Sequence, residues 1–77
     1  GLIDDGIAGY YSDYAAAEQA TLAMSSVGSF LSKQGAMRAP AAFNANLKKL
    51  NALLVNDERY QPQQFVVQLK DLRKSIE

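Results

Sequence analysis

The chain has no cysteine and no histidine. Without cysteine no disulfide can staple the fold, and the chain is silent about redox compartment. The two absences together exclude most zinc sites, since zinc takes Cys, His or carboxylate ligands. They also remove the usual nucleophile and base of covalent catalysis. A Ser–Lys pair, using Ser32 or Ser75, is the remaining option. Ser32 and Lys33 are adjacent on an expected helix, where neighbouring side chains do not face each other.

Other chemistry is scarce as well. The adjacent carboxylate pairs are Asp4–Asp5 and Asp57–Glu58. A calcium loop begun at Asp4 would place Gly6 at its third position and Ala15 at its twelfth, where acids are required. "DDG" therefore reads as a solvated turn. "GIAGYY" has two glycines but no third and no Lys, so it is not a phosphate loop. The longest apolar stretch, Tyr14 to Leu31, is broken by Glu18, Gln19 and several Ser, whereas a membrane span needs roughly 20 mostly apolar residues. The residues point to no enzyme, no metal, no cofactor and no compartment. The first residue is Gly, so the start reads as a processed terminus or as part of a longer chain.

Net charge is also absent: eight basic residues balance eight acidic ones. The balance is uneven along the chain. Residues 1–31 carry four acidic residues and no basic one, and residues 32–77 carry all eight basic residues against four acidic ones. The halves can complement each other within one fold. A neutral protein also lacks the self-repulsion that keeps copies apart. With 77 residues there is room for one small domain, whose core leaves about 3–5 kcal/mol of net stability. A partner chain is the readiest source of more.

What is present is helix grammar. The first helix is expected from residue 12 to about residue 33. Ser12 is a good cap for it, and Asp13 and Glu18 sit near the positive end of its dipole. Lys33 and Gly35 mark its end. Ala16, Ala20, Ala23, Met24, Val27, Phe30 and Leu31 form an apolar stripe. Beside it runs a stripe of small residues: Ala17, Thr21, Ser25, Gly28, Ser29 and Ser32. Small residues let two helix backbones approach closely. The stripe would therefore face a neighbouring subunit or lie under the N-terminal segment.

The second and third helices are expected at 40–55 and 62–76. Each opens with Pro at its first position, where the missing N–H costs nothing. At an offset of 22 residues Pro40, Phe43, Leu47, Lys48 and Leu50 fall on Pro62, Phe65, Leu69, Lys70 and Leu72. One such match is too little for a solenoid, which needs three or more units with longer periods. It reads as two helices that start and bury alike. Tyr60 and Phe65 occupy the positions of a hydrophobic staple around a Gln61 cap, and Gln64 that of a capping box. Ala39 is a poor cap for the second helix.

The first eleven residues hold Gly6 and Gly9, which argue against a helix, and Leu2, Ile3, Ile7, Tyr10 and Tyr11, which argue against a free tail. They are expected to be an irregular docking segment. The fold class is then all-α, a small three-helix bundle running up-down-up with an irregular N-terminal segment.

These features suggest a non-enzymatic protein–protein interaction or assembly module. It would bind a partner protein, or copies of itself as a homo-oligomer, through the first helix and the N-terminal segment. The candidate contacts are Ile7, Tyr10, Tyr11, Tyr14, Thr21, Ser25, Gly28 and Ser29, since Tyr is enriched at binding hot spots. The alternative is a small nucleic-acid-binding regulator using Lys48, Lys49, Lys70, Arg73 and Lys74. Against it stand a link with Asp57 and Glu58 but no Gly, helical pairing of Asp71 with Lys74 and of Arg73 with Glu77, and a neutral balance.

Overall fold

The computed structural model describes residues 2–76 and, for residues 2–5, the backbone alone. The fold is all-α, with no strand among the described residues. It has four helices: α1 (Leu2–Tyr10), α2 (Tyr14–Lys33), α3 (Pro40–Ala52) and α4 (Pro62–Lys74), with a short 3₁₀ helix at Asp57–Arg59. The expected Arg73–Glu77 pair lies outside the described residues.

The N-terminal segment corrects the sequence reading, because it is a helix and not an irregular strap. The "DDG" stretch lies inside α1 and makes no turn. Gly6 and Gly9 each cost about 1 kcal/mol of helix propensity relative to Ala. That cost is offset by tertiary packing: α1 lies along α4, and Ala8 is buried between elements. The three-helix bundle is thus a four-helix arrangement. In it α4 packs against both α3 and α1, and α3 packs against α2.

The helix ends follow local chemistry. Asp13, not Ser12, caps α2, its carboxylate accepting from the Ala15 N–H at 3.0 Å. The Ser12 hydroxyl instead donates back to the Gly9 carbonyl at 2.7 Å. At the other end Ala36 N–H donates to Leu31 O at 3.0 Å and Gly35 N–H to Ser32 O at 3.1 Å. This is a Schellman closure, and Gly35 supplies the residue with positive φ that it requires. Ala39 gives α3 no side-chain cap, as its chemistry implies. The Tyr60–Phe65 staple is formed, with ring centroids 5.9 Å apart. The capping box is not, because Gln64 donates to the Gln61 side chain at 2.9 Å and leaves the cap unserved. Both α3 and α4 stop short of the expected ends. Leu53 and Leu54 tighten into a turn, and Asn56 caps the 3₁₀ helix by accepting from Glu58 N–H at 3.0 Å. After Lys74, Ser75 turns its hydroxyl onto the Leu72 carbonyl at 2.5 Å.

The core sits where α3 and α4 meet. Phe43, Leu50, Phe65 and Leu72 are enclosed, the same two positions in each of the offset helices. Between them Gln68 donates to Asn46 Oδ1 at 3.3 Å, again residues 22 positions apart. Ala17 of α2 completes this cluster, with Met24, Met37, Leu47 and Leu54 half-buried at its margin. The molecule is thin, 36 × 26 × 16 Å. Its radius of gyration is 12.5 Å. That is slightly more extended than a compact chain of this length would be.

The approach of α2 to α3 turns on Gly28. A Cβ there would meet Phe43 Cδ1 at 3.1 Å and Cζ at 2.5 Å, with Cε1 nearer still. Gly28→Ala is therefore expected to destabilise by about 1–3 kcal/mol through overpacking against an enclosed ring. Gly6→Ala and Gly9→Ala, where nothing lies within 4 Å, should stabilise by about 0.5–1 kcal/mol each. Urea denaturation of the three variants measures this contrast. A Gly28→Ala protein as stable as wild type would refute the close approach.

Candidate functional site

The tyrosines gather where α1 turns into α2. Tyr10 and Tyr11 meet edge to face at 4.9 Å, and Tyr11 lies 5.2 Å from Phe65. Tyr14 meets Tyr60 edge to face at 5.5 Å. The Tyr60 hydroxyl donates to the Tyr11 carbonyl at 2.5 Å, and the Tyr14 hydroxyl donates to the Leu54 carbonyl. Tyr11 and Tyr14 are thus half-buried latches that tie the start of the chain to the α3–α4 link. Tyr10 remains 68% exposed. Burial, then the carboxylates of Glu18 and Asp57, pushes the Tyr14 phenol above its usual range.

Tyr10 and Tyr11 also border a groove of about 480 Å³ between α1 and α4. Ile7, Val66 and Leu69 give it apolar walls, and Lys70 and Arg73 stand on its α4 side. Its volume is in the range of small ligand pockets. Two sets of candidate residues from the sequence thus share one surface: Ile7, Tyr10 and Tyr11 with Lys70 and Arg73. Of the remaining basic candidates, Lys48 and Lys49 are exposed on α3 and Lys74 is exposed at the end of α4.

The structure fully buries the small-residue row of α2 and only half-buries part of its apolar stripe. Thr21 and Gly28, expected as partner contacts, are buried inside the chain against α3. The Thr21 hydroxyl is satisfied by donating to Ala17 O at 2.9 Å. The reason is steric: the enclosed Phe43 ring needs the space above Gly28. Ser25 and Ser29 are exposed and line a cleft between α2 and α3. The apolar stripe is split. Ala16, Ala20, Met24 and Leu31 are half-buried, while Ala23, Val27 and Phe30 face outward.

Leu22 joins them, a residue outside the apolar stripe read from the sequence. Leu22 is 63% exposed, Phe30 62% and Val27 41%. The missed signal is the spacing of Leu22, Ser26 and Phe30, four residues apart and so on one face. No charge falls on α2 between Glu18 and Lys33. Beside Leu22 a second groove, about 330 Å³, opens between α2 and the end of α3, edged by Leu54 and Val55. Val55 is 83% exposed, so the apolar surface continues from α2 onto the turn after α3.

No helix among the described residues is long and apolar enough to cross a membrane. No family model, curated protein or solved structure matches the chain.

The tyrosine latch has a pH signature. Burial, with Tyr11 beside it, raises the Tyr60 phenol from 10.0 to about 12. The folded state therefore holds this proton more tightly than the unfolded state does. The contribution of Tyr60 is fully present below pH 10 and is lost as pH rises through 12. Denaturation midpoints at stepped pH should fall across that window in the wild type and fall less in Tyr60→Phe. At neutral pH Tyr60→Phe should cost about 1 kcal/mol for the lost hydrogen bond. Parallel pH profiles for the two proteins would show that Tyr60 is not the titrating latch.

Proposed function

We propose that the chain is a non-enzymatic protein–protein interaction or assembly module that docks through the outward face of α2. One observation carries this reading: Leu22 and Phe30 project into solvent from a twenty-residue helix in which Ala17, Thr21 and Gly28 alone are buried. Isolated exposed apolar residues are ordinary, but a contiguous apolar surface rimmed by polar groups marks an interaction site. Leu22, Ala23, Val27 and Phe30 form such a surface, and Leu54 and Val55 extend it. The three longer helices serve here as an up-down-up scaffold holding α2 at its edge. The α1–α4 groove, with exposed Tyr10, offers a second contact. The absence of Cys and His supports the non-enzymatic part of the reading.

The test is retention of a partner by immobilised protein, wild type against Leu22→Arg/Phe30→Arg. Both positions are exposed, so helical circular dichroism should be unchanged. A protein held by the wild type and released by the variant is the expected outcome, with affinity lower by about tenfold or more. Equal retention by both would sink the reading. Binding to duplex DNA that weakens steeply with salt and needs Lys48, Lys49, Lys70, Arg73 and Lys74 would replace it with the nucleic-acid alternative.

A further inference from the structure

We infer that the outward face of α2 is self-complementary and pairs antiparallel with α2 of a second copy of this chain. The inference rests on the docking reading above and names the occupant of that face.

Ser26 lies midway between Leu22 and Phe30 on one helix face. A two-fold axis through Ser26 places Phe30 of each copy opposite Leu22 of the other, twice. Such an interface is isologous: what residue i touches in one copy touches residue i in the other. Ser26, small and exposed at the axis, lets the two backbones come close. Each Phe30 then lies over the groove edged by Leu22, Leu54 and Val55. Glu18, Thr21 and Asn51 complete the lining of that groove, so the Phe30 ring would meet its apolar edge, and a seated aromatic side chain is a usual anchor of an interface.

Among the residues of α2 the acid is Glu18 and the base is Lys33, both exposed and at opposite ends of the face. In the register that sets Phe30 against Leu22, Glu18 of one copy stands within one residue of level with Lys33 of the other. A parallel pairing would instead set like charge against like. The antiparallel arrangement is therefore selected by the charges as well as by shape. The zero net charge of the whole chain adds no repulsion between copies.

The chain exposes 5241 Å². That exceeds what the scaling of folded monomers gives for a chain of this mass. The surplus falls not far short of what each partner gives up in an ordinary interface, about 800 Å².

The experiment is light scattering coupled to size exclusion on the full chain across micromolar concentrations. The wild type should dimerise. Phe30→Glu should be monomeric with unchanged helicity. Glu18→Lys and Lys33→Glu should each weaken the dimer by about tenfold, and the combined variant Glu18→Lys/Lys33→Glu should recover most of the loss, because the swapped charges pair again. As a check of register, Ser26→Cys should form a disulfide-linked dimer under mild oxidation faster than Gln63→Cys on α4. The chain has no cysteine of its own to compete. A monomer at every concentration would overturn the self-pairing and leave the partner-retention test of the docking reading standing. A dimer indifferent to Phe30→Glu, or equal cross-linking at Ser26 and Gln63, would overturn the face or the register.

Discussion

Phe43 occupies the space that Gly28 leaves by having no side chain, and the orientation of α2 follows from that contact. Enclosing a Phe ring contributes on the order of 1.5–3 kcal/mol, a large share of what a chain this size has to spare. The ring can be enclosed on the α2 side only by a surface with no bulk. Gly28 provides it, in one row along the helix with Ala17 and Thr21, the other buried residues of α2. Once that row faces inward, the opposite row must face out. Leu22 and Phe30 are exposed because the small residues are buried.

The same logic shows why α2 is half legible in the sequence. Its limits can be read locally. An acid before the first turn, Lys33 in the last and Gly35 beyond it are signals whose physics lies within a few residues. Its facing cannot. A rule that buries the more apolar stripe chooses Val27 and Phe30, and both are exposed. What decides the matter is the shape of Phe43, fifteen residues further on. Shape complementarity between distant segments leaves no periodic trace. Two parallel stripes, one apolar and one small, are visible in the sequence, and the assignment of inside and outside between them is not.

The N-terminal helix escapes a local reading for a related reason. Two glycines in nine residues weigh against a helix when only local propensity is counted. The compensation comes from α4, more than fifty residues away, and from the hydrogen bond of Tyr60 onto the Tyr11 carbonyl. By contrast α3 and α4 are legible to within a few residues at their ends. Their signals, Pro at the first position and the repeated Phe and Leu spacing, are local, and they pack chiefly against each other. Of the candidate site, Ile7, Tyr10 and Tyr11 stand out in the sequence as apolar residues of the first eleven. That they share a groove with Lys70 and Arg73 depends on the α1–α4 contact and cannot be seen without it.

Size leaves part of α2 uncovered. Four helices from 77 residues make a thin slab, too shallow to bury a helix of twenty residues on both sides. Some long helix must lie at an edge, and α2 has α3 as its one extensive neighbour. Lysines or glutamates at positions 22, 27 and 30 would have left no apolar row facing outward. The chain instead carries Leu, Val and Phe there, with a single acid and a single base confined to the ends of the row. Among the described residues that row is exposed, apart from the edge that Leu22 shares with Leu54 and Val55. We read it as the face of a helix that meets another surface, and the placement of its two charges fits the proposed pairing with the same helix running the other way.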